Sequence, residues 1–158
     1  MWYKHTNRRV SYNNGEYESD SIYERKYLDG SDQYAAFLNS NQAQTVIQGS
    51  GEEGKLLLIK DSYGNTFAQF PVEDYAEVYV IDLRFFRDDI AEYAKTNGIT
   101  DTLVLYGVQN FVKDTNLSLC SLDNQAPNNY NHNQKGCHMA AFCFISAEIN
   151  SMCIFRHM

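Results

Sequence analysis

Ser62 is the residue of this chain best placed to act as a nucleophile. It follows a continuous apolar run, Leu56 to Ile59, within the segment Lys55-Leu56-Leu57-Leu58-Ile59-Lys60-Asp61-Ser62-Tyr63-Gly64-Asn65. Such a run suits a strand covered on both faces. Asp61 and Ser62 then fall at the strand's carboxyl end, where ligands bind in α/β sheets, and Gly64 permits the tight turn a nucleophile elbow requires. A serine hydroxyl attacks an acyl carbon when a base takes its proton and donors receive the oxyanion. A backbone N–H near Ser62 or Tyr63 is the candidate donor. The base is poorly supplied, because His5 is the one histidine outside the tail that holds His132, His138 and His157. The structural alternative for an Asp-Ser pair after a strand is an Asx- or Ser-type turn or a helix N-cap. Phosphoryl chemistry at Asp61 is the weaker option: the nearby second carboxylate of a metal-assisted site is missing, and position 63 is Tyr.

The elements that must position Ser62 follow from the pattern on either side of it. A strand to Ile59, a helix from about Thr66, and a strand from Val78 to Ile81 have the spacing of a βαβ unit. A second unit adds a helix from about Phe86 to Lys95, stopped by Asn97-Gly98, and a strand from Leu103 to Tyr106. This alternation implies a parallel sheet with right-handed crossovers. Asp82 and Arg84 come just past the second strand, at the same edge as Ser62. There an arginine can bind an anionic sugar or pair with Asp61, or the two can form a structural ion pair bracing the loop. Asn65 and Thr66 are expected to cap the helix after the elbow, and Tyr63 lines the site or packs on the sheet. Upstream, Asn13-Asn14-Gly15 marks a small hairpin, residues 21–28 are weakly helical, Thr45-Val46-Ile47 reads as a strand, and residues 49–54 form a flexible connector.

Composition narrows the function. At 158 residues the chain is large enough for one ordinary domain. A formal charge of −7 argues against nucleic acid as a partner. No run reaches the roughly 18 apolar residues of a membrane span, and the first residues lack the apolar stretch of a secretory signal. Cys120, Cys137, Cys143 and Cys153 all fall late in the chain without the compact spacing of a zinc site, so neither metal nor cofactor is expected. The texture changes after Leu119. Residues 1–118 read as the α/β unit, and 119–158 as an atypical tail, either an added helix or a poorly ordered extension.

Several separated blocks in order carry a family resemblance. These are Ser21-Ile22-Tyr23, the stretch from Asp32 to Asn41, Lys55 to Phe70, Val78 to Phe86, and Ile99 to about Thr115. Together they resemble the C-terminal half of the DHHW family, which is SGNH-hydrolase-like and related to alginate O-acetyltransferase components. The resemblance implies a three-layer, flavodoxin-like or SGNH-like α/β fold with a parallel sheet and an incomplete N-terminal half. It places Ser62 at the nucleophile position and an Asp-x-Arg at Asp82 and Arg84. The Asp-His-His-Trp motif that names the family, and supplies its acid and base, is absent here. The family also shows Phe-Leu-Gly-Gly-Asn where this chain has Phe37-Leu38-Asn39-Ser40-Asn41; Asn41 matches and the glycines do not, which puts an oxyanion hole built on them in doubt. The implied function is that of a serine-dependent carbohydrate O-acyl esterase or acetyltransferase-like protein, inactive alone without its base. It would act on a polysaccharide or acylated glycan outside the cytoplasm or in the cell envelope. The alternative is a non-catalytic α/β binding or interaction module.

Overall fold

The apolar run before Ser62 forms strand β4 (Lys55–Lys60), buried from Leu56 onward. Side chains alternate across a strand, so the run feeds two cores. Leu56 and Leu58 join Val10, Ile22, Leu38, Ala68, Val72, Val78 and Val80 on one face. Leu57 and Ile59 join Tyr79, Ile81, Leu83, Phe86, Ile90 and Tyr106 on the other. The result is the three-layer α/β arrangement expected from the sequence.

The computed structural model describes residues 7–116 and the strands at 139–143 and 152–157. The remaining strands are β1 (Asn7–Tyr12), β2 (Tyr17–Ser21), β3 (Gln44–Gln48), β5 (Glu77–Ile81), β6 (Asp101–Gly107), β7 (Met139–Cys143) and β8 (Met152–His157). The helices are α1 (Gly64–Phe67), α2 (Ile90–Asn97) and α3 (Val108–Lys113). Among the described residues the sheet order is β2-β1-β3-β5-β4-β6-β8-β7. Parallel pairing is confined to its centre, where β4 lies between β5 and β6. Antiparallel strands extend it on both sides, so the sheet is mixed around a parallel core.

The two crossovers out of this core run over opposite faces. The link from β4 to β5 packs Ala68 and Val72 on the first core, and the link from β5 to β6 packs Leu83, Phe86 and Ile90 on the second. The carboxyl ends of β4 and β5 therefore diverge, making the crevice at which α/β folds place ligands. Ser62 follows one strand and Arg84 the other.

Local structure departs from the sequence reading in four places. The helix expected from about Thr66 is a single turn, α1, from Gly64 to Phe67. The helix expected from Phe86 begins at Ile90, because Asp89 is extended and its carboxylate accepts the Glu92 N–H at 2.8 Å. Asp89-Ile90-Ala91-Glu92 is a capping-box pattern, a signal present in the sequence. The Gly98 stop stands, with φ 66°. Residues 21–28, read as weakly helical, hold the end of β2, a bridge from Tyr23 to Phe37 and one 3-10 turn, Arg25–Tyr27. Within the tail, residues 139–143 and 152–157 are strands, not a helix, since β8 pairs antiparallel with the edge of β6; the rest of 119–158 lies outside the described residues.

Leu58 is fully buried at the centre of this arrangement, whereas Val112 is 77% exposed. Leu58→Ala is expected to lower unfolding free energy by about 2–5 kcal/mol, and Val112→Ala to change it by less than about 0.5 kcal/mol. Urea unfolding of both variants checks this.

Candidate active site

Asp61 makes the turn that presents Ser62. One carboxylate oxygen accepts the Tyr63 N–H at 3.0 Å, which tightens the bend. The other accepts the Gly107 N–H at 2.9 Å and the Asn110 side-chain amide at 2.8 Å, which ties the bend to the end of β6 and the start of α3. Asp61 is thus a buried brace, and it does not pair with Arg84 through a hydrogen bond. Gly64 supports the bend by close approach: a Cβ there would meet the Lys60 Cβ at 2.4 Å. Its φ is not positive, and neither is that of Ser62. Tyr34 reaches over from the upstream segment and donates its hydroxyl to the Ser62 carbonyl.

Across the crevice stands a chain of charges. Asp82 is completely buried and receives the Lys60 ammonium at 3.0 Å and the Arg84 guanidinium at 2.6 Å. The Arg84 Nε and backbone N–H also donate to its second oxygen, at 2.8 and 3.1 Å. The same Nη2 that holds Asp82 donates to Ser62 Oγ at 2.9 Å. The ion pair of Asp82 and Arg84 is formed, and its guanidinium touches Ser62 directly. Burial pushes Asp82 toward the neutral acid, but Arg84 and Lys60 outweigh it and hold the carboxyl below its ordinary value. Burial pulls Lys60 below its ordinary value despite Asp82. The hydrogen bond to Asp82 raises Arg84 further.

The third wall is the segment before β3. Leu38, Asn39 and Ser40 take φ of 52°, 53° and 72°, the left-handed region that favours glycine. The chain therefore keeps the conformation that a Gly-Gly pair would adopt, although positions 39 and 40 hold Asn and Ser. Amides hold it there. Asn65, buried at the start of α1, donates to the Ser40 carbonyl at 3.2 Å and to Asn41 Oδ1 at 3.3 Å. Asn41 Oδ1 also accepts from Lys60 Nζ at 3.5 Å. Asn65 is thus a strap and not a cap, and Thr66 donates its hydroxyl back to the Tyr63 carbonyl at 3.0 Å.

Ser62, Asp82 and Arg84 are in contact, and Asn41 joins them through Lys60. Asp61 stands behind Ser62, and Tyr63 is 53% exposed at the rim. The Tyr63 N–H is engaged by Asp61, and the Ser40 N–H by the carbonyls of Ala35 and Phe37. Lys60, Asn65, Gly107 and Asn110 were not anticipated. Lys60 had a signal: a lysine ending a buried strand must find an anion. The segment 7–116 contains no histidine; His5, His132 and His138 lie outside the described residues.

Parallel strands flanked by helices, with a serine at their crevice, define an α/β fold. Two structures of Bacillus cereus PatB1, one with a sulfonyl adduct, share it. They show 20% and 18% identity, TM-scores of 0.55 and 0.52, and coverage of 66% of this chain and 37% and 36% of theirs. A DHHW family protein from Eubacterium siraeum is similar at 26% identity, with a TM-score of 0.61 over 73% of this chain. The likeness to the DHHW family carried by the sequence blocks is thereby shown, and the chain spans 40% of that relative's length. No family model and no curated protein matches the sequence.

Two outcomes follow. Below its ordinary pKa of 3.8, Asp82 is protonated in the unfolded chain before the folded one, so the stability it contributes is complete above that pH and lost as pH falls through its lower folded value. Asp82→Asn should flatten this acid limb, and at neutral pH should cost about 3–5 kcal/mol by stranding Lys60, as read from urea midpoints across pH. Ser40→Val should be less stable than Ser40→Gly by about 1–2 kcal/mol, since only glycine enters the left-handed region freely; thermal unfolding compares the pair.

Proposed function

We propose that Ser62 is the nucleophile of an acyl-transfer reaction on a carbohydrate ester. Its Oγ attacks the acyl carbon, the sugar alcohol leaves with a proton, and the acyl-serine passes its acyl group to water or to another hydroxyl. The observation that supports this most is the Arg84 hydrogen bond to Ser62 Oγ at the strand crevice, fixed from behind by buried Asp82. A guanidinium there favours the alkoxide form and any negative charge developing on the acyl oxygen. PatB1, whose fold is shared, has been captured with a sulfonyl adduct, and sulfonylation is a reaction of activated nucleophiles.

Arg84 cannot accept the serine proton, because arginine remains charged at any working pH. The proton acceptor lies outside residues 7–116, and without it the hydroxyl is a weak nucleophile. Residues 7–116 by themselves are accordingly inactive or nearly so, and catalysis belongs to a protein that supplies the base. The family resemblance supports a location outside the cytoplasm or in the cell envelope. Among the described residues no helix is long and apolar enough to cross a membrane. The engaged Tyr63 N–H favours a second reading, a non-catalytic binding module that keeps the elbow while its oxyanion donor is occupied.

The test is covalent labelling with an aryl sulfonyl fluoride, read by intact mass and peptide mapping, alongside hydrolysis of a chromogenic acetyl ester by a full-length protein carrying this segment. Label is expected on Ser62, and Ser62→Ala should remove both label and turnover. Turnover that survives the substitution would assign the chemistry elsewhere.

A further inference from the structure

Beside the crevice lies a second feature, apart from the charges around Ser62. The hairpin turn between β1 and β2, the entry to β3 and the segment after β5 enclose an open cleft of about 440 Å³, within the roughly 300–1,000 Å³ typical of small-ligand sites. Its lining includes Asn13, Asn14, Asn41, Gln42, Gln44 and Phe85. Asn41 also belongs to the wall of the candidate active site, through Lys60 and Asn65, so the cleft and Ser62 share a border.

The amides are ordered by one another. Asn13 donates to Gln42 Oε1 at 3.0 Å and accepts the Gln44 backbone N–H at 3.4 Å. The Gln44 side chain accepts the Asn14 backbone N–H at 2.8 Å and donates to the Tyr93 hydroxyl. A carboxamide has two N–H donors and two lone-pair positions. Asn13, and Gln42 with its bond to the Asn39 carbonyl, spend one of each, so donors and acceptors remain side by side for hydroxyl groups. Phe85 adds an aromatic ring that is half exposed, with the Arg84 guanidinium 5.4 Å from its centroid. Alternating amide donors and acceptors beside an exposed ring complement a pyranose, which offers hydroxyls at its edge and C–H groups on its face.

Charge selects further. Arg87 lines the cleft, but its guanidinium donates to the backbone carbonyls of Leu83, Phe86 and Arg84. Glu16 and Asp88 place two carboxylates in the same lining against the one Arg87 cation, which favours a neutral chain over a polyanionic one. We propose that this cleft binds a neutral oligosaccharide and holds the sugar whose ester is presented to Ser62. The last clause rests on the acyl-transfer reading above, whereas binding itself does not.

The experiment is a titration of the ¹⁵N-labelled chain with cellotetraose, chitotetraose and, as an anionic counterpart, tetragalacturonate. The neutral oligomers are expected to shift the side-chain amide resonances of Asn13, Asn14, Gln42 and Gln44 with Kd of about 1 mM or tighter, and tetragalacturonate to leave them in place. Phe85→Ala should weaken binding by about tenfold, or 1.4 kcal/mol. Asn14→Gly, which suits the φ of 59° at that position, should weaken it without disturbing the turn. Ser62→Ala should bind as the parent does. Unmoved amides with both neutral oligomers up to about 10 mM, or equal shifts with the anionic one, would overturn the cleft assignment even if Ser62 is labelled by the sulfonyl fluoride. Loss of the acyl-transfer reading alone would leave the amide shifts intact.

Discussion

A single buried carboxylate organises the functional edge of this fold. Asp82 has no access to water, and an unpaired charge there would be prohibitive. It is satisfied from both sides of the strand crevice, by Lys60 at the end of β4 and by Arg84 after β5. Because each cation comes from a different part of the chain, pairing fixes the separation of the two strand ends. It also fixes Arg84, whose Nη2 donates to Ser62 Oγ as well as to Asp82. Removing Asp82 would therefore strand a buried lysine and release the arginine that touches Ser62. The stability of the edge and the geometry of the site are one problem.

The elbow depends on a second carboxylate with a different task. Asp61 faces no cation at hydrogen-bond distance and instead accepts from the Tyr63 and Gly107 backbone N–H groups and the Asn110 amide. It secures the turn to the neighbouring strand, so Ser62 is held from β6 as well as from β4. Two acids at the ends of neighbouring strands thus separate by role: Asp61 shapes the backbone, and Asp82 arranges charge. That division also disfavours phosphoryl chemistry at Asp61, whose oxygens are taken up by the fold.

Much of this was legible. The apolar run of β4 and the spacing of the following strands sufficed for the parallel core, because a strand buried on both faces leaves a continuous hydrophobic signal. Ser62, Asp82 and Arg84 were found because they end strands, and strand ends are visible in the pattern. The brace through Gly107 and Asn110 was not, since its partners lie 46 and 49 residues from Asp61 and nothing local marks them. The same holds for Asn65: an asparagine after a turn reads as a cap, and only packing against residues 38–41 makes it a strap. The antiparallel strands flanking the core were hard to read for a related reason. An edge supplied by β6 can recruit β8, whatever the intrinsic preference of the recruited segment. Asn39 and Ser40 show the opposite limit. Their identities obscured the turn, yet the backbone adopts it, since two amide bonds from Asn65 and the packing of Leu38 compensate the cost of left-handed geometry.

The arrangement separates holding Ser62 from activating it. A guanidinium on Oγ lowers the energy of the alkoxide but cannot carry a proton away, and the nearest buried amine, Lys60, is committed to Asp82 and Asn41. Positioning needs many contacts from residues distant in sequence, and here they come from β4, β5, β6 and the loop before β3. Proton removal needs one group within hydrogen-bond reach of the serine. A fold of this class can therefore preserve the whole positioning apparatus while the base resides on another part of the chain, and its competence then turns on whether that group can reach Ser62 past the Arg84 guanidinium.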